Sequence, residues 1–229
     1  MNLSRRAVLA GGAGVLATHG MAEERMTHIV LLGDSVIDNK SYVGQGPDVT
    51  EQLRVLAPKE WEVTRLAMDG AVSSDVLRQL ENLPADTTHL VISAGGNDAL
   101  GESGVLDATA QSVGEVLMRL ANIQDRFRES YAQMLNAADS RKLPTAVCSI
   151  YDPCFPDPLR RRVSALALSV INDVITREAF RRQLTLIDLR VMFANDADFA
   201  NPIEPSVQGG MKLARAIHHF VSDRPQVVI

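Results

Sequence analysis

Three residues in this sequence carry the chemical groups that acyl transfer requires. Ser35 ends a Gly-Asp-Ser motif, Gly70 follows Asp69, and Asn97 lies in a Gly-Gly-Asn-Asp motif. A serine hydroxyl can attack a carbonyl carbon when hydrogen-bond donors stabilise the oxyanion that forms. The backbone N–H groups of Ser35 and Gly70 and the side-chain amide of Asn97 are three such donors. These residues are therefore a candidate nucleophile and a candidate oxyanion hole.

The segments before these residues have the patterns of buried strands. Residues 29–32 are a continuous apolar run that ends at Gly33, which is typical of a strand covered on both faces. Residues 89–93 form a second such run, directly before the Gly-Gly-Asn-Asp motif. Further strands are predicted at residues 61–68, 145–150 and 184–189. Helices are predicted to begin near residues 48, 73, 113, 158 and 206, with a break near Asn122 in the third of them.

Strands that alternate with helices form right-handed crossovers and a parallel sheet with helices on both faces. We predict an α/β fold of the flavodoxin-like, three-layer type, with a five-stranded parallel sheet in the order 2-1-3-4-5. In this order the chain changes direction between strands 1 and 3, and a crevice opens above their carboxyl ends. Ser35 and Asn97 directly follow these two strands, so the fold is expected to bring them together.

The N-terminal residues 1–25 are predicted to be an export signal rather than part of the fold. Arg5 and Arg6 precede a weakly apolar stretch, and Gly20 and Ala22 are small residues at positions suited to cleavage. The paired arginines resemble the twin-arginine type of signal, which implies a periplasmic or secreted protein. Alternatively, translation starts at Met26, directly before strand 1, and the protein is cytoplasmic. In both cases residues 26–229 are predicted to form one domain.

The composition narrows the range of functions. The formal net charge of −5 disfavours a nucleic-acid or an anionic-membrane partner. No apolar run reaches the roughly 20 residues that a membrane-spanning helix needs. The two cysteines and the scattered histidines lack the spacing of a metal site, and the loop after strand 1 lacks a Thr/Ser/Gly-rich phosphate cradle for a flavin. We therefore expect no cofactor.

The Gly-Asp-Ser motif, Gly70 and the Gly-Gly-Asn-Asp motif, in this order along the domain, resemble the sequence blocks of the GDSL/SGNH hydrolase family. The resemblance implies a flavodoxin-like fold and a hydrolase of small-molecule esters, such as an esterase, a lipase or a carbohydrate deacetylase. It also implies that Ser35 is the nucleophile and that Ser35, Gly70 and Asn97 donate to the oxyanion. Asp34 and Asp98 belong to the same motifs and are candidate substrate-binding residues.

The last sequence block of the family is altered in this chain. The resemblance implies Asp-x-x-His-Pro-Ser before the final helix, in which the Asp orients the His that acts as the base. The corresponding segment here is Asn-Pro-Ile-Glu-Pro-Ser at residues 201–206, so Glu204 replaces the histidine and Asn201 replaces the aspartate. We predict that Glu204 is the base and that the Asn201 amide orients its carboxylate through a hydrogen bond.

The histidines of the predicted domain are too far away to act as the base. His28 and His89 begin strands 1 and 3, roughly 15–20 Å from the carboxyl ends at about 3.3 Å per residue. His218 and His219 lie near the end of the final helix, roughly 18–20 Å from its start at about 1.5 Å per residue.

Two functions are consistent with this replacement. In the first, Glu204 is the base of a Ser–Glu pair, and the protein hydrolyses carboxylic esters through an acyl-Ser35 intermediate. A free glutamate has a pKa of about 4.3 and a free histidine about 6.5, so Glu204 is the poorer proton acceptor by about 3 kcal/mol unless burial raises its pKa. In the second, the site has lost its base, and the protein binds acyl or glycan ligands without hydrolysing them.

Overall fold

A five-stranded parallel sheet is the middle layer of the computed structural model, which describes residues 26–222. The strands are β1 (His28–Gly33), β2 (Glu62–Arg65), β3 (His89–Ser93), β4 (Thr145–Cys148) and β5 (Thr185–Ile187). Their order in the sheet is β2-β1-β3-β4-β5, and every neighbouring pair is parallel. The predicted α/β fold class and strand order are therefore confirmed.

Helices cover both faces of the sheet. They are α1 (Lys40–Val43), α2 (Val49–Leu56), α3 (Ser73–Glu81), α4 (Gly96–Gly101), α5 (Val113–Asp139), α6 (Pro158–Arg182), α7 (Leu189–Met192) and α8 (Val207–Ser222), with short 3₁₀ turns at Ser103–Leu106 and Asp196–Asp198. The predicted break near Asn122 is wrong, because α5 is continuous through this residue. The Gly-Gly-Asn-Asp motif forms the start of α4, with Gly95 at the N-cap position.

Two apolar cores lie on opposite faces of the sheet. Successive side chains of a strand point to opposite faces. Leu31 of β1 therefore joins the core beneath α2 and α8, and Leu32 joins the core beneath α3, α5 and α6. Because both of its faces are covered, β1 is buried along its whole length. Burial on both faces is the reason why residues 29–32 form a continuous apolar run.

A small antiparallel hairpin, which is absent from the predicted elements, precedes α8. Its strands are β6 (Phe199–Asn201) and β7 (Glu204–Pro205), and Asn201 is paired with Glu204. Strands of two or three residues are too short to produce an alternating pattern that sequence reasoning can detect. The hairpin is nevertheless important, because it fixes the backbone that carries Glu204.

The predicted export signal at residues 1–25 lies outside the described residues. Within residues 26–222, no helix is long and apolar enough to cross a membrane.

Candidate active site

Ser35 lies in a tight turn at the carboxyl end of β1. Gly33 ends the strand with a φ of 122°, and a Cβ atom at this position would lie 1.7 Å from the carbonyl oxygen of Ser93. Only glycine therefore allows β1 and β3 to approach so closely here. The approach is held by the Asp34 N–H, which donates to the Ser93 carbonyl oxygen at 3.1 Å. Ser35 is thus fixed above the sheet, between the ends of its two central strands.

The structure brings Ser35 and Glu204 into direct contact, although 169 positions separate them in the sequence. The Ser35 Oγ atom donates a hydrogen bond to Oε1 of Glu204 at 3.2 Å. Each residue is only 7% exposed. The second carboxylate oxygen, Oε2, is buried and has no hydrogen-bond partner among the described residues. The pair therefore has the geometry of a nucleophile and its base, in which Oε1 accepts the hydrogen bond and Oε2 does not take part.

Burial changes the acidity of Glu204. Desolvation raises its pKa to about 7, and the negative charge of Asp69 acts in the same direction, while the hydrogen bond from Ser35 opposes the shift. A carboxylate that titrates near neutral pH is a much better proton acceptor than a free glutamate. Burial in the protein interior therefore removes the disadvantage in pKa that a free glutamate has as a base relative to a histidine.

Two polar side chains hold the hairpin that carries Glu204. The Asn39 side-chain N–H donates to the Pro205 carbonyl oxygen at 3.1 Å, and its Oδ1 accepts from the Val49 N–H at 3.0 Å. The hydroxyl of Tyr151 donates to the Ile203 carbonyl oxygen at 2.6 Å. Sequence reasoning missed Asn39 and Tyr151 as positioning residues, because each acts on backbone atoms far away in the chain.

The candidate oxyanion donors lie at the same edge of the sheet. Asn97 is at the start of α4, and its side-chain N–H donates to the Ala71 carbonyl oxygen at 3.0 Å. This bond uses one of the two amide N–H groups and orients the other. Gly70 lies in the turn before α3 with a φ of 80°, and the space where a Cβ atom would lie is open. Gly70 is exposed, whereas Asn97 lines the same pocket as Ser35.

Asn201 does not have the predicted hydrogen bond to Glu204. The Asn201 side chain is exposed, and its Oδ1 accepts from the Ile203 N–H at 2.9 Å instead. It therefore stabilises the turn of the hairpin. Among the described residues, Ser35 is the partner that holds the Glu204 carboxylate in place.

The two motif aspartates have different surroundings. The buried Asp34 carboxylate accepts hydrogen bonds from the Val36 N–H at 3.1 Å and the Ser93 hydroxyl at 3.3 Å, and it lies at the pocket wall. Burial raises the pKa of Asp34 to about 7, with a smaller contribution from Glu204. Asp98 accepts from the N–H and the hydroxyl of Ser73, at 2.9 and 3.0 Å. Asp98 thus joins α4 to the first residue of α3.

The histidines of residues 26–222 lie at the opposite edge of the sheet. His28 and His89 are the first residues of β1 and β3, and the His218 ring stacks on Trp61 at a centroid distance of 5.2 Å. His218 and His219 are both in the last turns of α8. The expectation that no histidine of this domain reaches Ser35 is confirmed for all four.

Comparisons with known proteins agree with this geometry. A sequence model of the GDSL-like Lipase/Acylhydrolase family matches residues 31–210, which include Ser35, Asn97 and Glu204. The chain belongs to this family. Membership makes it an ester hydrolase with a small-molecule ester as its class of substrate. A search of curated protein sequences finds no significant match.

Solved structures of GDSL-like and related lipases share the fold. An extracellular lipase from Streptomyces rimosus has a TM-score of 0.65 and 19% identity, over 84% of this chain and 99% of that one. A phospholipase A1 from Streptomyces albidoflavus has a TM-score of 0.60 and 18% identity, over 85% and 99%. A lipase/acylhydrolase from Enterococcus faecalis has a TM-score of 0.56 and 22% identity, over 88% and 99%. At these identities the likeness shows the fold.

A mostly apolar pocket extends from Ser35 and Glu204 between α4, α5 and α6. Its apolar lining comes from the turns after β3 and β4 and from facing positions of the two long helices. The lining includes Leu100, Val105, Leu106, Leu120, Ile123, Ile150, Phe155, Ala167, Leu168, Val170 and Ile171. A pocket of this chemistry accommodates a hydrocarbon chain whose reactive end lies at Ser35.

Proposed function

We propose that the protein hydrolyses carboxylic esters through an acyl-Ser35 intermediate, with Glu204 as general base. The observation that carries the proposal is the buried hydrogen bond of 3.2 Å from the Ser35 hydroxyl to the Glu204 carboxylate. The apolar pocket beside this pair supports an acyl group as the part of the substrate that is recognised.

In the first half-reaction, Ser35 Oγ attacks the ester carbonyl carbon while its proton passes to Oε1 of ionised Glu204. The carbonyl oxygen becomes negatively charged, and the N–H groups of Ser35, Gly70 and Asn97 donate to it. The C–O bond to the leaving group then breaks. The proton held by Glu204 passes to the departing alkoxide, which leaves as an alcohol.

In the second half-reaction, a water molecule gives a proton to Glu204 while its oxygen attacks the acyl carbon. The same donors stabilise the second oxyanion. The bond between the acyl carbon and Ser35 Oγ then breaks, and the proton returns from Glu204 to Oγ.

Labelling with a fluorophosphonate probe tests this proposal together with hydrolysis of p-nitrophenyl butyrate. We expect wild-type protein to be labelled on Ser35 and to turn over the ester. Ser35→Ala should abolish labelling, and Glu204→Gln should reduce kcat by at least about 100-fold, the usual effect of removing a general base. The result is read from the mass of the labelled peptide and from the rate of p-nitrophenol release.

The alternative is a protein that binds acyl or glycan ligands without hydrolysing them. This function would be favoured if wild-type Ser35 were not labelled and Glu204→His became labelled and active. Such a result would mean that the pocket and the oxyanion donors are intact but that the carboxylate does not activate the serine.

We also propose that the segment of residues 1–25 directs export and is cleaved after Ala22. The twin-arginine pattern of the sequence supports this proposal. Intact-mass and N-terminal analysis of the protein from fractionated cells provide the test. A periplasmic or secreted product that begins after Ala22 is expected, and a cytoplasmic product that begins at Met26 would contradict the proposal.

A further inference from the structure

The apolar face of α5 continues beyond the protein core into solvent. Ile123, Leu120, Leu117, Val116 and Val113 lie on one face of the helix because they are three or four residues apart. Ile123 packs in the core and Leu120 lines the pocket. Leu117 and Val113, one and two turns further toward the helix start, are 60% and 75% exposed.

An equivalent stripe is present on α6. Val170, Leu166, Val163 and Leu159 follow one another at intervals of three or four residues. Val170 lines the pocket, whereas Leu166 and Leu159 are 72% and 70% exposed. On both helices the exposed residues are therefore a direct continuation of the pocket lining.

The two stripes lie beside each other at the Ser35 edge of the sheet. Both helices connect parallel strands, so they run in the same direction and begin at the carboxyl edge. The Gln124 side chain donates to the Val170 carbonyl oxygen at 2.9 Å, which sets the alignment of the two helices. Counted from this bond, Leu117 is at the height of Val163. We call Val113, Val116, Leu117, Leu159, Val163 and Leu166 together the α5–α6 face.

Arginines flank the apolar stripe of α6. At about 100° per residue, Arg160 and Arg162 lie on the two sides of the line formed by Leu159 and Val163. Arg162 is exposed, and Arg160 pairs with an aspartate that is itself 71% exposed, so this pair is weak. An apolar stripe between arginines is the pattern of helices that lie in a lipid–water interface, where guanidinium groups reach phosphate headgroups.

We propose that the α5–α6 face docks on the surface of a phospholipid aggregate. Its occupant must have the same chemistry as the pocket, because one apolar lining connects the two. Hydrocarbon chains match the apolar stripes, and lipid phosphates can pair with the arginines beside them. Docking in this orientation places the pocket against the lipid, so that an acyl chain enters without crossing water.

Binding to vesicles tests the proposal independently of turnover. Full-length Ser35→Ala protein is sedimented with vesicles of phosphatidylcholine. A face variant carries Leu117→Gln, Leu159→Gln and Leu166→Gln, and a matched control carries Val55→Gln, Phe180→Gln and Val191→Gln at equally exposed apolar positions outside the face. We expect the face variant to lose at least about tenfold in partition coefficient, because three apolar side chains no longer enter the lipid, and the control to bind as before.

Equal binding by the two variants, or no binding by the parent protein, would overturn the proposal. It would also be overturned if light scattering showed a dimer that the face variant alone converts to a monomer, because the occupant would then be a second copy of the chain. Thermal unfolding of both variants checks that the comparison is between folded proteins. The docking result does not depend on the proposed Ser–Glu chemistry, because the protein used has no nucleophile at position 35.

Discussion

The chemistry of this site depends on how a carboxylate behaves when the protein buries it. Glu204 accepts a hydrogen bond from Ser35 and leaves its second oxygen without a partner among the described residues. A buried anion with so few donors is destabilised, and this raises its affinity for a proton. The feature that makes Glu204 a competent base is therefore unfavourable for folding.

The pH dependence of stability should show that ionised Glu204 destabilises the folded protein. The pKa of Glu204 is about 7 in the folded protein and near 4.3 in the unfolded chain, so the folded state holds more protons between these values. Stability linked to Glu204 is present below about pH 4 and is lost as the pH rises through about 7. Glu204→Gln removes this loss. We expect the Tm of the variant minus that of wild type to be larger at about pH 8 than at about pH 5, measured by calorimetry.

Residues of the site were predictable where a side chain with the right chemistry follows a buried strand. Ser35 and Asn97 could be found because each directly follows a buried strand at the point where the chain reverses direction. Asn39 and Tyr151 could not, because their partners are carbonyl oxygens of a distant hairpin. The orientation of Asn201 was predicted wrongly, because a local hydrogen bond to its own turn is formed in preference to one with Glu204.

At the level of elements, the hairpin of β6 and β7 determines where the base lies. Tyr151 supports it through the bond to the Ile203 carbonyl oxygen, while its ring stacks on Phe193 at a centroid distance of 4.8 Å. The hairpin is joined to the rest of the protein by few such contacts. The position of Glu204 should therefore be sensitive to each of them.

Tyr151→Phe tests this dependence, because the ring contacts remain and only the hydroxyl is removed. The Ile203 carbonyl oxygen then lacks its donor, which costs about 1–3 kcal/mol of stability. We expect kcat to fall several-fold with little change in KM, measured with p-nitrophenyl butyrate. Tyr131→Phe is the control, because the buried Tyr131 hydroxyl lies in the core on the α5 side of the sheet and has no hydrogen-bond partner among the described residues. Equal kcat values for Tyr151→Phe and wild type would contradict the positioning role.

At the level of the whole molecule, the fold was largely predictable. Apolar runs indicated the five sheet strands, and the alternation of strands with helices indicated their parallel order. The strand ends were predicted too long, since residues 66–68 and 149–150 lie beyond β2 and β4. The crevice above β1 and β3 was predicted, but its apolar extension between α4, α5 and α6 was not, because no local sequence pattern encodes a space between distant elements.

The width of this pocket should set the preference for acyl chain length. Ala167 of α6 lines it, whereas Ala165 of the same helix does not. Ala167→Leu adds atoms to the space that a long chain needs. We expect the ratio of kcat/KM for p-nitrophenyl octanoate to that for the acetate to fall by about tenfold, the discrimination that a few methylene contacts provide. Ala165→Leu, the matched control, should leave the ratio unchanged, and an equal effect of both variants would exclude Ala167 as a determinant.

The pH profile of kcat/KM for p-nitrophenyl butyrate tests the central claim most directly. If ionised Glu204 takes the proton of Ser35, the profile of wild type should rise with pH through a pKa of about 7 and then level off. This rise with pH should be missing from the residual activity of Glu204→Gln. It should be retained in Asp34→Asn, which removes the other carboxyl group whose pKa is raised to about 7. A rise that persists in Glu204→Gln but disappears in Asp34→Asn would contradict the account and make Asp34 the base.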